Sequence, residues 1–395
     1  MTRLSDPKYI ATLVRADDCL RFRDARHSGP KQAAIQIASR FADRTYVPQP
    51  VETTINRGKS TLRVTSYADA LFLRHCCRVL RSGNIHHPPS RQVICRQLKS
   101  VLESDVPHFI IRTDIAKCFG SVPAEQSLNL PSVREKLKSV EFNWCKTLLR
   151  CNENPLQPLH YGLAISSDLA EHFLAEFDRQ VICHTGVIYY SRFVDDILIV
   201  TAARSAERVF EKVACALPAG LSLNREKTSQ CHWNDGISNR TEFEYLGYSF
   251  MLTKKVKSKT RTSIEIGLSE RKELQIRQRL GRVFLAFQKD KDFLLLRDRL
   301  RYLTGGTTTH SNFTHRRVQI GLRSSHPELT NLKRLFSLDG YLHQRIRAAS
   351  SDGTDPLLST EQMRGLQRLS FSASYKLNIR HRFSGKRLWL VRDVF

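Results

Sequence analysis

An α+β protein is predicted, and three features of the sequence predict it. HFIIRTDI (108–115) is a short apolar run ending in a carboxylate, and GVIYYSRFVDDILIVTA (186–202) reads as two apolar strands interrupted by Asp195-Asp196. Between them SSDLAEHFLAEFDRQVI (166–182) has the spacing of an amphipathic helix, and beyond Lys254 the segment RKELQIRQRLGRVFLAFQKDKDFLLLRDRLRYL repeats that spacing with basic residues.

The remaining elements fall around these. Residues 1–45 place Ala33, Ile35, Ile37, Ala38 and Phe41 at helical spacing until VPQP breaks the pattern. Val51 to Val64 is β-branched and basic, and TSYADALFLRHCCRVL is a helix that Thr65 or Ser66 can cap. SAERVFEKVACAL is a further helix, and FEYLGYSFML closes the region as a strand pair. The charge run KKVKSKTR then marks a boundary, giving a mixed region 1–252 and a basic, all-helical region 253–395.

Composition narrows the class. Apolar residues make up 41% of the chain and no run of about 18 apolar residues occurs, which excludes a disordered chain and a membrane-spanning helix. The start, MTRLSDPKYI, lacks the apolar stretch of an export signal, so a cytoplasmic location is expected. Ten scattered cysteines without a C-x-x-C are expected to be reduced thiols and not a zinc site. The 63 lysines and arginines against 38 aspartates and glutamates give a net charge of +25, which calls for a polyanionic partner. From Lys254 onward 30 basic residues face 12 acidic ones, so most of the surplus lies in the last third. Charge alone leaves an enzyme and an RNA-binding scaffold equally open.

Asp195-Asp196 supplies the chemistry that charge does not. Adjacent carboxylates among apolar residues must lie in a solvated turn or face a cation, because burying them unpaired costs several kcal/mol. Taken alone the pair fits a solvated hairpin turn equally well. Asp114 also ends an apolar strand, and if the strands share one sheet the carboxylates can hold a pair of Mg²⁺ ions that activate a hydroxyl and stabilise a leaving phosphate oxygen.

At this point the order of segments resembles the polymerase motifs of reverse transcriptases over about residues 44–250. TDIAKCFGSV is similar to motif A, YGLAISSDLAEHFL to motif B, RFVDDILIV to motif C, LSLNREKTSQ to motif D and EYLGYSF to motif E. The resemblance implies right-hand fingers and palm over 1–252, with 253–395 as a thumb-like helical domain or thumb replacement. It also implies catalytic and metal-binding roles for Asp114, Asp195 and Asp196, with the Ile115 carbonyl as a further ligand of two Mg²⁺ ions. Phe119, five residues after Asp114, would lie under the sugar and exclude a 2′-hydroxyl. Arg63, with Arg57 and Lys59, would grip the triphosphate. Gly162 would let the backbone approach the nascent base pair, Lys227 would neutralise or protonate the leaving pyrophosphate, and Leu246, Gly247 and Tyr248 fit a primer grip. Without the resemblance, Phe119 reads as a core aromatic, Gly162 as a turn glycine and Lys227 as one exposed lysine among many.

The sequence departs from the common pattern at Cys118, Tyr161, Ser167, Glu171 and Phe193. LAE in place of LAN in motif B is similar to the bacterial abortive-infection and unknown-group reverse transcriptases that act in phage defence. RLRYLTGG and LFSLDGYLHQRIR resemble the helical region of those enzymes, and no integrase, RNase H or HNH segment is recognisable. The expected partners are dNTPs, a structured non-coding RNA template and a DNA product. Untemplated, protein-primed synthesis on the same site and an inactive RNA-binding scaffold are the alternatives. The resemblance allows a homo-oligomer, for which the sequence carries no interface signature.

Overall fold

A computed structural model describes residues 3–15, 18–56, 59–83, 89–104, 106–151, 153–154, 156–202, 206–233, 240–254, 262–310, 317–351 and 357–395. These form two compact units, one comprising residues up to 88 and from 109 to 230, the other 89–108, 231–310 and 317–395.

In the first unit, β1 (Glu52–Asn56) and β2 (Lys59–Arg63) pair as an antiparallel hairpin with Glu52 opposite Arg63. The main sheet has the order β4–β5–β3–β6, with β3 at His108–Asp114, β4 at Val187–Phe193, β5 at Asp196–Ala202 and β6 at Ser229–Trp233. Strands β5 and β3 occupy its centre. Ile197, Leu198, Ile199 and Val200 are all fully buried, so β5 is covered on both faces as an unbroken apolar run must be. The helix Ala164–Ile182 packs against β4 and buries Ile165, Leu169, Leu174 and Phe177 at helical spacing.

Phe193 pairs with Asp196, so the two-residue turn between β4 and β5 is Val194-Asp195, and Asp196 is already the first residue of β5. The turn lies one residue earlier than the sequence suggested. Val194 adopts φ 62°, a region that costs a β-branched residue about 1–2 kcal/mol and persists only where surrounding contacts enforce it.

The second unit carries an antiparallel sheet of β7 (Arg240–Tyr245), β8 (Tyr248–Lys254) and β9 (Thr262–Leu268). Leu246 and Gly247, at φ 50° and 87°, make the tight turn between Tyr245 and Tyr248, as hairpins of this length require. Helices Glu270–Asp290, Phe293–Thr304 and Lys333–Ser351 follow. Buried Glu273 ties the first to the third, accepting from Arg277, Arg334 and Ser337.

Two features depart from the expected layout. The region after residue 252 is not all helical: besides β9 it contains a small sheet, β11–β10–β12, with β10 at Gly306–His310, β11 at Arg317–Gly321 and β12 at Arg380–His381. The β-branched Thr307, Thr308, Thr309, Val318 and Ile320 favour the extended backbone there over helix. The units also do not follow a single cut at residue 252, since residues 89–108 and 231–252 group with the C-terminal helices. The helix Arg91–Leu102 is held in this unit by Gln92 donating to the Ser324 carbonyl at 2.7 Å and by Arg96 on Glu328 at 2.7 Å. KKVKSKTR lies, after Lys254, outside the described residues. No described helix is long and apolar enough to cross a membrane.

Candidate active site

The side chains that build this site all belong to the first unit. Asp114 ends β3 and is buried at 8% exposure, and the chain beyond it is fixed by backbone bonds. The Asn224 N–H donates to the Asp114 carbonyl at 2.8 Å and the Ala116 N–H to the Ser222 carbonyl at 2.9 Å. Ile115 is thus bridged to Leu223 with its own N–H and carbonyl turned to the opposite side. On that side its N–H donates to the Asp195 carbonyl at 3.0 Å. One backbone hydrogen bond therefore couples the end of β3 to the Val194-Asp195 turn and brings the backbones of Ile115 and Asp195 side by side.

The Lys227 ammonium lies 3.1 Å from the Asp114 carboxylate, and Asn224 approaches the same oxygen at 3.5 Å. Lys227 is 69% exposed in its side chain, so this contact is worth at most about 1 kcal/mol and yields readily to a stronger cation. Asp196 faces Arg112 at 3.9 Å. Arg112 and Asp114 stand two apart on β3 and share a face, so Asp196 belongs to the same surface. Among the described residues, no three histidine, cysteine or acidic side chains are gathered tightly enough to be a ready-made metal site. Asp114 and Asp195 carry carboxylates and Ile115 a backbone carbonyl, oxygen donors of the kind that suits a hard cation such as Mg²⁺.

The turn carrying Asp195 has its own anchor. Arg192 on β4, buried to 3% of its side chain, forks onto Asp178 at 2.7 and 2.8 Å and onto Glu171 at 2.7 Å, both on the helix Ala164–Ile182. Its third contact is the Val194 carbonyl at 2.8 Å. Burial works against the guanidinium, but Asp178 and Glu171 outweigh it and hold the group firmly protonated. Tyr190 adds a hydroxyl bond to Asp178 at 2.6 Å. This network supplies the contacts that hold Val194 at positive φ. Glu171, a departure from the common motif B, is thereby explained as a partner of Arg192.

Phe119, half-buried on the short helix Cys118–Ser121, meets Tyr161 with ring centroids 4.9 Å apart. Burial, then Asp195 and Cys118, raise the Tyr161 phenol above its ordinary value. Burial first, and then Asp195, push the Cys118 thiol up to about 12, so it stays protonated beneath the site.

Gly162 is held in a conformation that fits glycine alone. Its φ is 98°, and a Cβ on it would lie 2.2 Å from the Leu62 carbonyl oxygen. The Leu62 N–H donates to the Tyr161 carbonyl at 2.8 Å, so the glycine lets β2 dock directly on the Tyr161-Gly162 backbone. Arg63, exposed on β2, is the next residue along that strand. Gly162→Ala is expected to cost about 1–2 kcal/mol through φ alone, with the clash added, and to separate β2 from Tyr161. A thermal melt within about 1 °C of wild type would contradict this. Arg57 lies outside the described residues, and of Lys59 only the backbone in β2 is described.

Residues 61–250 match the profile of the family described as reverse transcriptase (RNA-dependent DNA polymerase). Residues 61–250 are a reverse-transcriptase domain. The reverse-transcriptase domain contains all five segments that resemble motifs A to E, and the mixed helix and sheet composition of the chain agrees with it. No curated protein sequence matches significantly. Among solved structures, the chain is similar to the apo telomerase of Candida tropicalis at 11% identity, covering 91% of this chain and 64% of that one, with a TM-score of 0.41. The same organism's telomerase truncated of its C-terminal domain gives 13% identity, 61% and 60% coverage and a TM-score of 0.38. Its telomerase with a fragment of telomeric RNA gives 12% identity, 92% and 68% coverage and a TM-score of 0.36. The chain thus spans about 60% to 68% of the length of these telomerase chains.

Sequence reasoning missed Arg192, Asp178 and Asn224. An arginine directly before FVDD in an otherwise apolar strand was the available signal, because a buried guanidinium demands carboxylate partners.

Proposed function

We propose that the chain is an RNA-directed DNA polymerase that adds dNMPs to a 3′-hydroxyl, with Asp114 and Asp195 as its catalytic carboxylates. The observation that carries this reading is the Ile115 N–H bond to the Asp195 carbonyl, which brings the two carboxylate-bearing segments of the reverse-transcriptase domain side by side.

Asp114, Asp195 and the Ile115 carbonyl would hold two Mg²⁺ ions, with Asp196 completing the acidic surface. Bound there, the ions lower the pKa of the attacking hydroxyl and offset charge on the leaving oxygen. The protein's own groups do the rest. Lys227, whose largely exposed ammonium rests on Asp114, would neutralise or protonate the departing pyrophosphate. Arg63 binds the triphosphate from β2, whose position depends on Gly162. Phe119 and Tyr161 form an aromatic floor for the sugar, and Phe119 excludes a 2′-hydroxyl. Phe119→Val is expected to reduce discrimination against rNTPs at least about tenfold in competitive incorporation; unchanged sugar selectivity would remove Phe119 from this role.

The finer reading follows the motif B resemblance: a bacterial defence enzyme of the abortive-infection type, copying a partner non-coding RNA, with the basic region 253–395 acting in place of a thumb. Labelled dNTPs and Mg²⁺ with purified protein, before and after RNase treatment, test it. RNase-sensitive product is expected. Product joined covalently to protein would instead indicate untemplated self-priming, and absence of product under every condition would leave an RNA-binding scaffold.

A further inference from the structure

The lysine that rests on Asp114 is carried by a turn tied to β3 at both ends. After Asn224 the chain makes the short 3₁₀ turn Arg225–Lys227 and enters β6 at Ser229. At the front of this turn the Asn224 N–H donates to the Asp114 carbonyl at 2.8 Å. At its back the Thr228 hydroxyl donates to the Asn224 carbonyl at 2.8 Å, and the Lys227 N–H reaches the same carbonyl at 3.2 Å. A hydroxyl has one proton to give, and that of Thr228 is committed to Asn224. The Thr113 hydroxyl, 2.9 Å away, therefore donates to the Thr228 oxygen. Thr113 is 1% exposed and directly precedes Asp114 on β3, so its side chain lies on the face of the strand opposite the Asp114 carboxylate.

We propose that Thr228 is a positioning residue for Lys227, with Thr113 as its anchor, a role that rests on Lys227 acting on the departing pyrophosphate. A lysine ammonium is a point charge on a long flexible stem, so where its backbone root sits decides what it can reach. The Lys227 side chain is 69% exposed, which leaves that root as the main means of aiming it. Three bonds fix the root: Asn224 ties the front of the turn to the Asp114 backbone, Thr228 folds the turn on itself, and Thr113 holds Thr228 to the strand. Adjacent residues of β3 thus grip both ends, and Asp114 and Lys227 share one frame. Serine at 228 keeps both hydroxyl bonds, whereas valine keeps the shape and loses them. Valine also leaves the buried Thr113 hydroxyl without its partner, which replacement of both threonines avoids.

The test uses the full chain with Thr228→Val, Thr228→Ser, Lys227→Ala, Thr228→Val/Lys227→Ala and Thr113→Val/Thr228→Val. Single-turnover dNMP incorporation on a primed RNA template is measured over a dNTP series, with thermal melts on the same preparations. Thr228→Val is expected to lower the maximal rate about tenfold while the half-saturating dNTP concentration stays within about twofold, because the lysine acts on the leaving group in the transition state. Thr228→Ser should restore the rate. In the Lys227→Ala background, Thr228→Val should change the rate by less than about twofold, since no ammonium is left to position. Thr113→Val/Thr228→Val should melt closer to wild type than Thr228→Val does and remain slow. An equal loss from Thr228→Val with and without Lys227, or a rate that recovers with the melt in the double-valine variant, would mean that the hydroxyls serve the fold alone and overturns the proposal. Lys227→Ala as fast as wild type overturns it as well, by removing the lysine from the reaction. Wild type that incorporates no dNMP overturns the polymerase reading and the positioning role together, an outcome distinct from an active wild type with additive variants.

Discussion

Asp114→Asn and Asp195→Asn are each expected to cut dNMP incorporation by roughly 10³-fold or more, because a carboxylate that holds catalytic Mg²⁺ contributes several kcal/mol to the transition state. Stability should hardly change. The Asp114 carboxylate has a mostly exposed lysine as its salt-bridge partner, a contact worth at most about 1 kcal/mol, and the bond joining β3 to the turn runs through the backbone of Ile115 and Asp195. Rapid-quench incorporation and a thermal melt on the same preparations separate the two effects. Variants that retain more than about a tenth of wild-type incorporation would show that the carboxylates do not carry the reaction.

Arg192→Met should lose stability as well as activity. It leaves Glu171 and Asp178 facing each other without their cation and frees the Val194 carbonyl, and breaking a buried pair in this way costs about 3–5 kcal/mol. Chemical denaturation should report that loss. Incorporation should fall as well, since the positive φ of Val194 is no longer enforced and Asp195 shifts with its turn. Triple replacement of Arg192, Glu171 and Asp178 by Met, Leu and Leu should recover much of the stability, because no unpaired charge remains. Full activity in the triple variant would mean that the network acts on folding alone and does not position Asp195.

The parts of this site that were legible in the sequence are those encoded by short-range pattern. A carboxylate ending the run FIIRTD and a second one at the break in FVDDILIV are visible because apolar strands seldom end in Asp without cause. The centre of the turn was displaced by one residue: Asp-Asp looks like a turn, and a Val at positive φ is not predictable without the Arg192 bond that holds it. The resemblance marks Gly162 as a place where the backbone approaches a nascent base pair; its contact with Leu62, a hundred residues away, is one to which no local pattern points. The same limit applies to the grouping of the helix Arg91–Leu102 with the C-terminal helices, which rests on its bonds to Ser324 and Glu328. In the C-terminal third, the basic residues at helical spacing predict helix throughout, whereas the β-branched residues of β10 and β11 form strands.

The most direct measurement of the central claim is Mn²⁺ binding, followed by electron paramagnetic resonance in the presence of a non-hydrolysable dNTP analogue. Wild-type protein should bind about two ions per chain at the site, and Asp114→Asn/Asp195→Asn should lose them. An equal number of ions, bound with equal affinity, in wild type and the double variant would contradict the assignment of these carboxylates as the metal-binding centre of a polymerase.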